Sequence, residues 1–352
     1  RTRQNASCQF PETLMLILAP LGWIYGRVMQ ARNALYDRGI LKCYDLGART
    51  ISVGNITTGG TGKTPLVALI AEMLFENSEK VCILTRGYGR KDENKRVVVC
   101  SRDTMVADAE LAGDEPVELA QQLLGRAIII ADADRVAAAN WAKDNFGITT
   151  FVLDDGFQHR RAKRDLDIVC IDATDPFGDG RVLPAGRLRE PMKNLKRADV
   201  IVITRADLVD PDEAIFKKVT AINSAVPIFR CHFQIKEFRP LAMTPDRPEY
   251  NAKENAFAFC GLGNPKNFYE SLKQKGVNLA GEMSFPDHHF YKSEDILEIE
   301  KAAENTGSRN LVTTPKDAVK LQSRQFSIPC FIAEIETVID DPVRFRDLVL
   351  SA

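Results

Sequence analysis

Thr57-Thr58-Gly59-Gly60-Thr61-Gly62-Lys63-Thr64 places three glycines, a lysine and a terminal hydroxyl within eight residues. Glycines without a Cβ let successive backbone N–H groups curl around phosphate oxygens, and a helix that starts at the lysine adds a favourable dipole. In such a loop Thr58, Gly59, Gly60, Thr61 and Gly62 form the cradle, and Lys63 reaches the β- and γ-phosphates of a nucleotide such as ATP. The Thr64 hydroxyl is then a ligand for Mg²⁺. The flanks supply the context this chemistry needs. Residues 49–55 have the β-branched character of a buried strand, and apolar residues recur at helical spacing from Leu66 to Phe75.

A second cluster sits at another strand end. Ile148 to Leu153 is an apolar run that ends in Asp154-Asp155-Gly156. Carboxylates at the end of a buried strand suit a Mg²⁺ ion or its water shell, although Asp-Gly is also good turn chemistry. The run continues as Phe157-Gln158-His159-Arg160-Arg161-Ala162-Lys163-Arg164, which is either an anion-binding loop or a solvated one. His159 reads as a phosphate contact or a structural hydrogen-bonder. Arg86, Tyr88 and Arg90 follow a strand at 80–85, at the sheet edge where α/β proteins bind ligands. Guanidinium groups there suit phosphate, and a structural loop is the competing reading. A general base for a hydroxyl acceptor has two candidates, Asp114 in Gly113-Asp114-Glu115-Pro116 and His288 in Pro286-Asp287-His288-His289. Asp114 also reads as a helix cap, and His288 as part of a solvated loop.

The elements that must position these residues alternate. Strands are expected at 80–85, 127–132, 148–153, 166–172 and 198–204, mostly with helical runs between them. That pattern gives a P-loop NTPase-like, doubly wound, largely parallel α/β sheet. Around 225–256 it shifts to extended segments and a polar stretch with Pro240, Pro245 and Pro248. A smaller α/β unit follows, with strands at 256–260, 279–285 and 310–314 and a helix at 293–304. We therefore expect a kinase-type domain over 1–235 and a smaller C-terminal α/β domain over 236–352, with a cleft between them that closes over the reaction.

The net charge of −1 gives no footprint for nucleic acid. The charge is uneven, however. Residues 1–50 hold seven Lys or Arg against three acids, alongside the apolar run Leu14–Tyr25. That run is shorter than the roughly 20 residues needed to span a bilayer. It reads as a signal peptide, a packed core helix or an interfacial helix. Trp23, Tyr25 and the basic flank favour an amphipathic membrane-surface helix over about 12–36, with Leu14, Ile17, Leu21, Ile24, Tyr25 and Val28 on one face. Eight scattered cysteines without a C-x-x-C pair read as buried hydrophobes of a reducing compartment.

Taken in order, Asn55, the Gly59–Thr64 loop and Asp154-Asp155-Gly156-Phe157-Gln158-His159 resemble the tetraacyldisaccharide 4′-kinases. Further matching segments are Thr85–Arg90, Gly113–Pro116, Leu183–Gly186, Leu188–Pro191, Pro286–His289 and Thr314–Val319, with Pro315 where the family commonly has Glu. The resemblance implies ATP- and Mg²⁺-dependent transfer to the 4′-hydroxyl of tetraacyldisaccharide 1-phosphate in lipid A synthesis. It implies an Asp114–His288 catalytic dyad, and Glu115 and Asp155, with Asp154, as acids around Mg²⁺. It also implies a peripheral or monotopic enzyme at the cytoplasmic face of the inner membrane, with a lipid disaccharide and the membrane surface as its partners, and neither nucleic acid nor a protein.

The same residues bear on other functions. A ParA/MinD-like switch ATPase carries a signature lysine where Thr58 stands. A GTPase reading of Val200–Asp207 fails at Arg205 and Ala206, which replace the guanine-reading residues of N-K-x-D. A metallochaperone of the P-loop class would need Cys or His clusters that are absent from the sequence. A nucleotide-binding module without enzymatic activity is the remaining alternative.

Overall fold

A computed structural model describes residues 12–209, 213–241, 249–321 and 324–352, with side chains from residue 18 onward. Leu14 and Ile17 of the expected apolar face, and Pro245 and Pro248 of the polar stretch, lie outside the described side chains. The chain opens with helix α1 (Glu12–Asp37) and then alternates: β1 (Arg49–Asn55), α2 (Lys63–Glu76), β2 (Val81–Thr85), β3 (Val97–Ser101), α3 (Ala109–Ala112), α4 (Asp114–Gln122), β4 (Ala127–Ala131), α5 (Arg135–Phe146) and β5 (Thr150–Asp154). It continues through β6 (Leu166–Asp172), β7 (Val200–Thr204), α6 (Glu213–Ile222) and the long β8 (Ile228–Pro240). The second lobe adds β9 (Ala256–Cys260), α7 (Pro265–Gln274), β10 (Leu279–Ser284), α8 (Ser293–Asn305), β11 (Asn310–Thr313), α9 (Pro315–Leu321), β12 (Cys330–Ile339) and α10 (Pro342–Ser351).

The twelve strands among the described residues form one sheet, ordered β10-β9-β11-β12-β8-β7-β6-β1-β5-β2-β4-β3. Its pairs are parallel except β3 with β4 and β12 with β8. Strand β3 has no counterpart in the sequence reading. It is a short edge strand, paired antiparallel with β4 alone among the described strands. Strand β8 runs in one piece where separate extended segments were expected. Its first residues pair with β7 and nearly its whole length with β12. The expected boundary at 235/236 falls within β8, at the point where its register against β12 shifts between Ile235 and Glu237.

Helices cover both faces, as a sheet with continuous apolar strands requires. On one side α2 and α4 bury Leu66, Ile70, Leu74, Val117 and Leu119 against Ile51, Val53 and Ile83. On the other, α5 closes over Phe151, Leu153 and Leu84. Helix α10 belongs to the first lobe by contact: Phe345 stacks edge-on with Phe229 at 5.2 Å, and Arg49 Nη1 donates to Leu350 O at 2.8 Å. The second lobe has its own two small cores, one under α7 and one under α8. Six of the described cysteines are buried and unpaired, while Cys43 is exposed.

Helix α1 lies outside this frame and packs through its small residues. A Cβ on Gly22 would fall 2.9 Å from Ala185 Cβ, and one on Gly26 3.3 Å from Val182 Cγ2. The same face carries Tyr25, whose hydroxyl donates to Arg189 O at 2.8 Å, and Asn33, which donates to Glu190 at 3.1 Å. Tyr25, expected on the outer apolar face, therefore points inward because its hydroxyl finds a backbone acceptor there. Leu21, Trp23, Ile24 and Val28 remain exposed on the opposite side. No described helix is long and apolar enough to cross a membrane.

Candidate functional site

The carboxyl ends of β1, β2, β5 and β7 open onto one edge of the sheet, and the candidate residues collect there. Asn55, the last residue of β1, donates to Thr61 Oγ1 at 2.8 Å, and Thr204 at the end of β7 donates to Thr61 O at 2.9 Å. Gly62 then takes φ +73° and α2 begins at Lys63. This left-handed residue turns the chain sharply into the helix, and a Cβ there would press within 2.7 Å of the Phe233 ring. Two arginines hold the loop from outside by its carbonyls. Arg187 donates to Thr58 O at 2.6 Å and pairs with Asp175; Arg205 donates to Gly60 O at 3.0 Å and pairs with Asp172. The Thr58 N–H is itself spent on Arg187 O at 2.8 Å, so Thr58, expected in the cradle, is tied to the neighbouring loop and the N–H groups from Gly59 onward are left for an anion.

Strand β5 delivers the acidic pair. Asp154 is buried and accepts from Thr85 Oγ1 at 2.9 Å. Burial first, then Glu115 and Asp155, push its carboxyl up to about 6. Asp155 adopts φ +51°, which turns its side chain toward the phosphate loop. Its Oδ1 lies 3.6 Å from Lys63 Nζ and its Oδ2 accepts from Arg189 at 2.6 Å. Burial raises its pKa, but Lys63 and Arg189 outweigh this and hold it below the ordinary carboxylate value. The turn after β5 can lie this close to β1 because Gly54 carries no side chain: a Cβ there would meet the Phe157 backbone N at 2.6 Å.

Gly113 caps α4, so Asp114 is the first helical residue and its carboxylate is not used as the cap. It instead meets the second lobe. His288, at φ +60° in the turn after β10, places Nδ1 3.1 Å from Asp114 Oδ2, although 174 residues separate them. Burial works against ionisation of Asp114, but the His288 hydrogen bond and Lys320 prevail and keep its pKa below the usual range. His288 is half exposed, with Lys316 Nζ 3.4 Å from its Nε2. His289 is held aside by Asp295 at 3.0 Å and stacks on Phe285.

Other candidates separate from this group. Arg90 is buried and donates to the carbonyls of Glu93, Lys95 and Ala131, so it builds its own loop and is not available to a phosphate. Arg86 and Tyr88 remain exposed at the end of β2, the guanidinium 5.4 Å over the ring. His159 is driven down to about 4 by burial and by Arg135, which makes it a neutral, structural imidazole at ordinary pH. The basic run after it is largely neutralised internally: Arg160 pairs with Asp37, Arg161 with Asp134 and Arg164 with Asp167.

Arg187 and Lys320 have no part in the sequence reading, and Arg189, Arg205 and Lys316 enter it only within motifs, without a place at the site. The only local hint was basic side chains immediately after strands or within Leu188-Arg189-Glu190-Pro191.

Among the described residues no three His, Cys, Asp or Glu converge as a ready metal site. The donor set nevertheless fits a hard divalent cation. Asp154 is a buried carboxylate short of positive partners, Glu115 is close enough to act on it, and the Thr64 hydroxyl is engaged by no hydrogen bond among the described residues.

Residues 14–352 match the family described as LpxK, tetraacyldisaccharide-1-P 4′-kinase. A tetraacyldisaccharide 4′-kinase of Geobacter metallireducens is 39% identical over 310 residues, covering 88% of this chain and 89% of that one. The corresponding protein of Pelobacter propionicus is 35% identical over 338 residues, covering 95% and 91%. A crystal structure of LpxK from Aquifex aeolicus in complex with ATP superposes with TM-score 0.78 at 33% identity, over 96% of this chain and 99% of that one. The phosphate loop, the acidic strand end and the fold that joins them have relatives along their whole length, and the chain belongs to the tetraacyldisaccharide-1-P 4′-kinase family.

Proposed function

We propose that this chain is a peripheral membrane kinase that moves the γ-phosphoryl group of ATP onto the 4′-hydroxyl of tetraacyldisaccharide 1-phosphate in lipid A assembly. The observation that carries the reading is the Asp114–His288 hydrogen bond at 3.1 Å, which sets a base dyad on the sheet edge that holds the phosphate loop. Family membership supports the reaction and the acceptor, and the ATP complex of the Aquifex relative supports the donor.

The residues divide the work by charge. The N–H groups around Gly59 to Gly62 and the start of α2 take the phosphates, and Lys63 leaves Asp155 to neutralise the transferring group. Thr64, Asp154, Asp155 and Glu115 are the residues that would hold Mg²⁺, which supplies further neutralisation of phosphate charge. Asp114 is buried and already shared between His288 and Lys320, whereas His288 is half exposed, with only Lys316 Nζ, at 3.4 Å, and Asp287, at 3.8 Å, near its Nε2 among the described residues. Asp114 therefore accepts the Nδ1–H and fixes the tautomer, and the proton of the sugar hydroxyl goes to His288 Nε2. Arg86 and Tyr88, exposed beside the site, contact the acceptor. Leu21, Trp23, Ile24 and Val28 rest in the headgroup region of the cytoplasmic face of the inner membrane, where the acylated substrate resides.

The test is transfer of label from γ-labelled ATP to purified tetraacyldisaccharide 1-phosphate in detergent micelles with Mg²⁺. Labelled lipid is expected from this chain and not from Lys63→Ala. ATP hydrolysis that ignores the lipid and leaves it unlabelled would overturn the reading.

A further inference from the structure

Helix α9 presents Lys316 and Lys320 on one face, four residues apart. Lys316 sits at the rim, 2.7 Å from Asp287 Oδ1. Lys320 is different: its side chain is wholly buried. An ammonium taken out of water needs carboxylate partners, and this one has two. Its Nζ is 3.1 Å from Asp114 Oδ2 and 3.8 Å from Asp317 Oδ1.

The two carboxylates are not equivalent. Asp317 is already satisfied by neutral donors: Gly261 N at 3.0 Å, Tyr291 OH at 3.0 Å and Thr314 Oγ1 at 2.6 Å. Asp317 therefore has no need of the lysine. Asp114 has no such set. Among the described residues its Oδ2 is shared by His288 Nδ1 and Lys320 Nζ alone, both at 3.1 Å. A carboxylate with one oxygen fixed from two directions cannot swing, so the imidazole on it is held with Nε2 outward.

We propose that Lys320 is a positioning residue of the transfer reaction, whose buried ammonium pins Asp114 from the second lobe so that His288 faces the acceptor hydroxyl. The dyad is then the exposed end of a chain that runs Asp317–Lys320–Asp114–His288 across the joint between α9 and α4. The inference rests on the kinase reading above and adds a residue to it.

A double-mutant cycle tests it, with Lys320→Met, Asp114→Asn and the pair, using ATP and tetraacyldisaccharide 1-phosphate in micelles. Lys320→Met should lower kcat about tenfold or more, within the range that general-base assistance supplies. Affinity for ATP, measured directly by calorimetry, should stay at the parent value, because the phosphate loop is held by other residues. With Asp114 already Asn, removal of Lys320 should cost nothing further. If the apolar side chain prevents folding, Lys320→Gln keeps an N–H for Asp114 without the charge and is read in the same cycle. A parent-like kcat, or the same fractional loss with and without Asp114, refutes the inference while leaving the kinase reading intact. Failure of the parent chain to label the lipid at all overturns both.

Discussion

Replacing Leu21, Trp23, Ile24 and Val28 together by serine should release the chain from lipid vesicles and leave the nucleotide site intact. The magnitude comes from the exposed face of α1. These side chains are 53%, 67%, 51% and 59% exposed, so each keeps about half of its apolar surface for lipid. Full burial of a Val, Leu or Ile side chain is worth about 1.5–3 kcal/mol. Half of that for four residues, with only partial immersion at an interface, gives about 3 kcal/mol for the patch. The vesicle partition coefficient should fall about a hundredfold. Co-sedimentation with anionic phospholipid vesicles measures it, with ATP binding as the control for folding. The opposite face should tolerate the change, because Gly22, Gly26, Tyr25 and Asn33 make the contacts to the protein. Unchanged co-sedimentation would refute the assignment of this face to the membrane. Loss of ATP binding would show instead that these four residues hold the fold.

Glu118 gives a pH prediction. Burial first, and Glu115 next, push its carboxyl up to about 8 from 4.5, so the folded chain keeps a proton that the unfolded chain releases in between. Stability should therefore fall as pH rises from about 4.5 to 8 and level off above. Glu118→Gln should be the more stable protein at pH 8 by about 1–2 kcal/mol, since partial solvent access screens the full effect; urea midpoints that coincide for parent and variant at pH 8 would contradict this. Gly54→Ala should lower stability by about 1–3 kcal/mol or more through overpacking against Phe157. A melting temperature equal to the parent's would show that the turn after β5 can move away from β1.

The phosphate loop and the Asp154-Asp155-Gly156 strand end are contiguous segments, and their chemistry is written in neighbouring residue types. The central strands carry unbroken Val and Ile because parallel strands are buried on both faces, so their positions were also legible. Helix α1 was legible as a helix, but its inward face was not. Small residues pack against Ala185 and Val182, and that contact lies some 160 positions away along the chain. Arg90 shows the same limit: a guanidinium after a strand suits phosphate, and only the folded loop shows three carbonyls already holding it.

The reach of the dyad is the sharpest case. Composition and spacing left Asp114 open between general base and helix cap, and His288 between general base and loop residue, and only the family resemblance implied that they pair. Tertiary structure joins them because β8 and β12 carry one sheet through both lobes and bring the turn after β10 to the start of α4. Lys320 is invisible in the sequence for a related reason. A lysine on a short amphipathic helix ordinarily points to water, and only the packing of α9 on α4 turns it inward. Local chemistry was thus determined by the residues themselves, whereas which charges meet, and which stay dry, was decided by the long-range packing of the sheet and its helices.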